Sequence, residues 1–159
     1  TLARAGLVTG RRDGTYVRYR LTSDDVAEAW AALRRVAAAH VEDLDDLARA
    51  YLGDRDQLET ITRAERRARL GRGDVVVIDV RPAPEYAAGH VPGAISIPPD
   101  QLDELLADLP QGDVVAYCRG PFCVYADDAV RHLTQRGRRA LRLEDGLPEW
   151  RQAGGPTEV

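Results

Sequence analysis

DVVAYCRGPFCVYADDA, residues 113–129, is the stretch around which the rest of the chain is organised. Val114 to Tyr117 is an apolar run of strand length. It stops at Cys118, and after a short turn a helical pattern begins near Cys123, with Val124, Ala126, Ala129, Val130 and Leu133 at helical spacing. A strand that delivers a cysteine to a turn before a helix can generate a thiolate. The first-turn amides of a helix have no partner within it, and its dipole leaves partial positive charge there. Such a setting lowers a thiol pKa from its free value of about 8.5. Arg119 adds a charge beside the sulfur, and Gly120 permits a tight turn. A cysteine ending a buried strand also serves as a small apolar filler. Cys118, however, stands at the strand's C-terminal mouth, the edge where open α/β sheets bind ligands.

Outward from this stretch, strands and helices alternate. Val75 to Val80 (VVVIDV) reads as a strand buried on both faces. Ala94 to Ile97 reads as a short strand, Gln101 to Leu109 as an amphipathic helix, Arg139 to Leu143 as a strand, and Gly146 to Ala153 as a last helix carrying Trp150. Thr62-x-x-Glu65 is a capping box opening a short helix through Leu70, closed by Gly71 and Gly73. The class is α/β with a parallel sheet.

The 159 residues suffice for one domain of about 100 residues and a smaller part. No apolar run approaches the roughly 18 residues of a membrane span, and no secretory signal opens the chain. Two cysteines five positions apart in a chain without secretory features suit sulfur or redox chemistry in a reducing cytoplasm better than a structural staple. All 22 basic residues are arginine. Residues 1–72 hold 14 arginines against 12 acids, net +2, and residues 73–159 hold 8 against 14, net −6. The asymmetry divides the chain into two parts, the first more tolerant of an anionic partner.

From about Ile61 onward the chain resembles a rhodanese domain. Three blocks carry the resemblance: Asp79-Val80-Arg81 through Glu85-Tyr86, Gly89-His90-Val91-Pro92-Gly93-Ala94 and Ile97-Pro98; Cys118-Arg119 at the catalytic loop; and Gly146-Leu147-Pro148-Glu149-Trp150. It implies a parallel sheet flanked by helices, no cofactor, and a sulfurtransferase. In such domains the loop cysteine, here Cys118, takes a sulfur atom from thiosulfate or a persulfide and passes it to a thiol acceptor. The implied substrate-binding loop is Arg119, Gly120, Pro121, Phe122 and Cys123. Its six positions, counted from Cys118, resemble the sulfur-transferring members, whereas related phosphatases use a loop one residue longer. Two positions depart from the family pattern: Pro121 stands where glycine is usual and Cys123 where arginine is usual. Pro121 removes an N–H from the anion cradle. Cys123 is either a resolving thiol that attacks a persulfide on Cys118, or a buried thiol in the helix's first turn. Asp79 and Arg81 are expected to brace loops, His90 to bond backbone, and Trp150 to lie in the core.

Ahead of this domain, Leu7 to Arg12 and Thr15 to Leu21 read as two strands joined at Asp13-Gly14. Arg11, Arg12, Arg18 and Arg20 crowd this ribbon, which is either a solvated hairpin or a phosphate contact. Ala5 to Leu21 resembles the end of the recognition helix and the β-wing of ArsR-type winged-helix repressors. The resemblance makes residues 1–52 the remnant of a DNA-binding domain, with the wing at 7–21, and the chain a piece of a longer regulator. Thr22 with Asp25 reads as a capping-box-like start of a helix over 23–51. Val26, Leu33, His40 and Leu47 share one seven-residue repeat, and Trp30, Ala37, Leu44 and Tyr51 another. A lone helix of about 30 residues and 45 Å exceeds what a small domain covers, so it is expected to pair with its copy in a homodimer. The acidic group His40, Glu42, Asp43, Asp45 and Asp46 reads as a solvated face, and no metal site is expected. Residues 53–60 read as a linker and 61–159 as the rhodanese domain. The expected partners are a sulfur donor, a thiol acceptor and, for the full-length parent, DNA. The expected function is sulfur transfer through Cys118. The alternative is a dimeric repressor that senses sulfur or redox state through Cys118 and Cys123.

Overall fold

Val114, Val115, Ala116 and Tyr117 alternate between two apolar layers, and that alternation fixes the architecture. In the computed structural model, which describes residues 1–55, 57–62, 64, 65, 69 and 75–159, the chain forms two compact units, Thr1–Leu47 and Ala48–Val159.

The first unit opens with a turn closed at Gly6, where Leu7 N–H reaches Leu2 O at 3.0 Å. β1 (Val8–Asp13) and β2 (Tyr16–Leu21) form an antiparallel hairpin from Val8 opposite Leu21 to Asp13 opposite Tyr16. The two turn residues are therefore Gly14 and Thr15, one position later than expected, and Gly14 takes the left-handed conformation this tight turn requires (φ 61°). α1 (Asp24–His40) follows, and α2 (Leu44–Leu52) begins after a break. The helix expected over 23–51 is thus two helices. Val41 is extended (φ −95°, ψ 105°), and its N–H still bonds Ala37 O at 2.9 Å. Acids are unfavourable at a helix C-terminus and favourable at an N-terminus. Glu42 and Asp43 therefore act against continuing α1 and in favour of starting α2. At the other end, Ser23 is the N-cap of α1 and makes no side-chain cap bond; its hydroxyl donates to Asp25 Oδ2 at 3.3 Å. The capping-box-like start expected at Thr22 and Asp25 does not form, because the helix begins one residue later. No helix among the described residues is long and apolar enough to cross a membrane.

The second unit is a five-stranded parallel sheet in the order β3-β7-β6-β4-β5. The strands are β3 (Thr60–Ile61), β4 (Val75–Asp79), β5 (Ile95–Ser96), β6 (Asp113–Tyr117) and β7 (Ala140–Leu143). β6 is central, and both edges are strands of two residues. The helices are α3 (Ala83–Ala87), α4 (Leu102–Leu105), α5 (Tyr125–Gln135) and α6 (Leu147–Gln152). A turn of 3₁₀ helix flanks α4 on each side, so the expected single helix over 101–109 is divided into short turns. Val114, Ala116 and Cys118 face one layer, with Ile78, Leu106, Ala129, Val130 and Leu133. Val115 and Tyr117 face the other, with Ile61, Val77, Leu141, Leu147 and Trp150. Burying a side chain of this kind contributes about 1.5–3 kcal/mol each. The capping box at Thr62 forms: Glu65 N–H donates to Thr62 Oγ1 at 3.3 Å, and Thr62 N–H donates back to Glu65 Oε2 at 3.1 Å. The rest of the helix expected there, with Gly71 and Gly73, lies outside the described residues.

Candidate functional site

The site stands at the C-terminal ends of β4, β6 and β7. Asp79, the last residue of β4, is fully buried and receives Arg81 on both oxygens: Nε at 2.9 Å to Oδ1 and Nη2 at 2.6 Å to Oδ2. The Tyr117 hydroxyl, ending β6, donates to Asp79 Oδ2 at 2.6 Å and accepts Val91 N–H at 3.0 Å. Arg81 also donates to Gly89 O at 2.8 Å. Burial first, and then the Asp79 charge, push the Tyr117 phenol far above its usual pKa. This network fastens the loop of residues 89–91 to the strand ends. His90 stacks on Tyr86 with ring centroids 3.7 Å apart, and its Nδ1 lies 3.0 Å from Tyr86 O. Trp150 is buried and donates to Pro156 O at 2.8 Å. These residues brace loops and fill the core, as their types and positions lead one to expect.

Cys118 is buried directly after β6, and its carbonyl accepts Leu147 N–H at 3.1 Å. Residues 118–123 form an irregular loop in which Cys123 N–H bonds Gly120 O at 3.1 Å. α5 starts at Tyr125, two residues later than the expected helix start. Cys118 and Cys123 are joined as a disulfide, with Cα atoms 6.3 Å apart, inside the usual 4.4–6.8 Å range. The expected amide cradle is therefore incomplete in this state: Pro121 has no N–H, and that of Cys123 is used in the turn. Gly146 presses against the loop. A Cβ there would stand 2.3 Å from Arg119 C and Gly120 N, and 2.6 Å from Cys118 O. Only glycine permits this approach.

Arg119 does not point freely into the site. It is half-exposed and paired with both oxygens of Glu85 from α3, with Nε at 2.9 and 3.1 Å. Its guanidinium lies 5.6 Å from the Tyr125 ring centroid. The hydrogen bonds to Glu85 raise its pKa.

Beneath the loop lies a group that the sequence reading did not assemble. Asp127, on α5, is fully buried. Its Oδ2 accepts Arg55 Nε at 2.6 Å, and its Oδ1 stands 2.8 Å from Arg142 Nε of β7 as an ion pair without hydrogen-bond geometry. Both arginines also donate to Pro121 O, Arg55 at 2.6 Å and Arg142 at 2.9 Å, and Arg55 Nη2 reaches Cys123 O at 3.2 Å. Two guanidinium groups face one carboxylate. Burial, then the Arg55 charge, pulls the Arg142 pKa down. The local signals were an arginine inside a four-residue apolar strand and an acid between Ala126 and Ala129 on the packed face of a helix. Among the described residues, no cluster of three His, Cys, Asp or Glu is arranged to hold a metal ion.

In the hairpin, the register puts Arg11, Arg18 and Arg20 on one face and Arg12 on the other. Arg11 stands directly opposite Arg18. Arg18 pairs with Asp13 at 2.6 Å, and Arg20 donates to Thr9 Oγ1 at 3.2 Å. The four arginines thus do not form one basic face.

Comparison with known proteins agrees with this geometry. The family model of the rhodanese-like domain matches residues 62–153. An HTH-type transcriptional regulator of Mycobacterium tuberculosis is 47% identical over 158 residues, covering 99% of this chain and 69% of the regulator. A sulfurtransferase of Allochromatium vinosum is 34% identical over 85 residues, covering 52% of this chain and 78% of that protein. The crystal structure of the BH2092 protein from Bacillus halodurans superposes with a TM-score of 0.59 at 29% identity, covering 72% of this chain and 85% of that one. With the model spanning more than half of its residues and the strand-end loop in place, the chain belongs to the rhodanese-like domain family.

Proposed function

We propose that the second unit performs sulfurtransferase-type chemistry in which Cys118 accepts sulfane sulfur and Cys123 resolves it. The family and the Allochromatium sulfurtransferase support the reaction type. The observation that carries the finer reading is the bond between Cys118 and Cys123 across a Cα separation of 6.3 Å. A Cys118 thiolate attacks the outer sulfur of a persulfide R–S–SH, giving Cys118–S–SH and R–S⁻. After deprotonation, the inner sulfur on Cys118 is attacked by the Cys123 thiol. The S–S bond of the persulfide breaks, the disulfide forms and HS⁻ leaves, carrying the proton from Cys123 in net terms. Cellular thiols then reduce the disulfide. Thiosulfate is the poorer donor, because Cys123 stands where an anion-binding arginine is usual and Arg119 is held by Glu85.

A second reading, compatible with the first, is favoured by the regulator from Mycobacterium tuberculosis, whose similarity extends through residues ahead of the rhodanese-like domain. In it, the chain is part of an ArsR-type winged-helix repressor. The hairpin arginines touch DNA phosphates, α1 contributes to a homodimer, and the disulfide is the signal. Trp30, Leu33 and Val36 of α1 are exposed, which suits a helix awaiting a partner.

Intact-protein mass tests the chemistry. Wild type, Cys118→Ser and Cys123→Ser, each reduced, are incubated with a small-molecule persulfide and separately with thiosulfate. The proposal expects persulfide to remove two hydrogens from wild type, to add one sulfur atom to Cys123→Ser, and to leave Cys118→Ser unchanged. A sulfur gain that persists on Cys118→Ser would remove Cys118 as the carrier.

A further inference from the structure

Arg55 lies outside the rhodanese-like match, three residues beyond the end of α2, yet its guanidinium bonds the sulfur loop and the helix that follows it. Of its two carbonyl partners, Pro121 O is carried by the covalent ring closed by the Cys118–Cys123 bond, and Cys123 O is attached to the Cα at which the chain leaves that ring. We infer that Arg55 is a positioning residue of the sulfur site: it clamps the loop in its disulfide-bonded shape and so ties the docking of residues 53–58 to the bond between the two sulfurs.

The arrangement has the features a coupling element needs. Pro121 O is shared between Arg55 and Arg142, so a single carbonyl orientation satisfies both. Asp127 holds both guanidinium groups but balances only one charge. Arg142 therefore repels Arg55, and the loop carbonyls offset that repulsion. If reduction lets the six-residue loop relax and turns Pro121 O or Cys123 O away, Arg55 is left beside a like charge with fewer acceptors. Charge-assisted bonds of this kind are about twice as strong as neutral ones, so their loss is felt. Other ties of the segment include the Arg131 bond to Asp54 O at 3.0 Å and the packing of Leu58 on the α5 side of the sheet, and neither of these two involves the loop. Coupling of this type is reciprocal: whatever factor the disulfide adds to Arg55 docking, Arg55 docking adds to the disulfide.

The inference rests on the bond-forming pair in the proposed function but not on sulfur as its oxidant, so it is tested in a glutathione buffer. There both thiols and GSSG give the disulfide and two GSH. In the full chain, the expected effect of Arg55→Gln is a fall of about tenfold in the oxidation equilibrium constant, which moves the midpoint potential up by about 30 mV. Arg55→Lys recovers less than half of this, because an ammonium lacks the planar fork. Arg139→Gln, which removes an exposed pair to Glu59 and Asp113, leaves the midpoint unchanged. Hydrogen exchange of the peptide from Leu52 to Leu58 supplies a readout that a merely structural role would not move. Protection in wild type falls on reduction, and in Arg55→Gln it is low in both states. An Arg55→Gln midpoint equal to that of wild type, or equal protection of the wild-type peptide in both redox states, overturns the inference. Failure of sulfur loading alongside intact coupling would sink the sulfurtransferase reading and leave this one standing.

Discussion

Replacing Gly146 by alanine tests whether the turn after β7 sets the position of the sulfur loop. Gly146 has φ −108° and ψ −171°, a conformation alanine adopts freely, so the penalty is purely one of space. The added Cβ would meet Arg119 C and Gly120 N at 2.3 Å and Cys118 O at 2.6 Å. Carbon atoms in contact rest about 3.5–4.0 Å apart, so the loop or the turn must move by more than an ångström. All three neighbours are backbone atoms, and no side-chain rotation relieves them. Overpacking costs about 1–3 kcal/mol, and the absence of a yielding side chain places this case near 3 kcal/mol. For a unit the size of Ala48–Val159, that corresponds to a fall of about 10–15 °C in Tm. The assay is thermal unfolding of the oxidised protein followed by Trp150 fluorescence in a Trp30→Phe background, which silences the first unit. The same protein is titrated in glutathione buffer, because a displaced loop changes the distance between the two sulfurs. A Gly146→Ala protein with wild-type Tm and wild-type disulfide equilibrium would refute the claim that this approach constrains the loop.

Asp127→Asn leaves the buried Arg142 facing Arg55 with no carboxylate, and is expected to cost about 3–5 kcal/mol in urea unfolding; Glu85→Gln, at the half-exposed pair with Arg119, is expected to cost under about 1 kcal/mol. Equal costs would show that burial does not decide the worth of these pairs. Tyr117 supplies a pH signature. Its folded pKa lies above the unfolded value near 10, so as pH climbs past 10 the unfolded chain loses the phenolic proton first and binds fewer protons than the native state. Stability from this group is full below pH 10 and declines above it. Tyr117→Phe, followed by chemical denaturation at pH 9 to 11.5, is expected to be less stable at pH 9 and to fall less steeply above 10; parallel curves would contradict it. Tyr86, which burial also raises, remains in both proteins and cancels in the difference.

Local patterns in the sequence led to the right elements wherever the deciding interaction was local or periodic. The continuous apolar run of β6, the cysteine at its end and the Thr62–Glu65 box follow from neighbours a few positions apart. The long helix did not, because its apolar repeat runs in register through Val41 to Asp43 and masks a break that the position of Glu42 and Asp43 relative to two helix ends produces. The arginine pair on Asp127 was also hidden. Arg55 and Asp127 lie 72 positions apart, and nothing in the stretch around Arg55 distinguishes it from a solvated charge. The disulfide stood between: the spacing of Cys118 and Cys123 raised it, but only the path of the loop brings their Cα atoms to 6.3 Å.

The sheet is bounded on both sides by strands of two residues, β3 and β5. Each offers a newcomer little more than one rung of unpaired amides and carbonyls, and the central strand β6 is flanked by β4 along all five of its residues and by β7 from Val114 to Ala116. Short edges of this kind resist the addition of further strands. The outermost strands therefore supply little of the flat ladder from which fibrillar or domain-swapped species grow. Any association between copies of this unit would then run through its side-chain surfaces rather than through added strands.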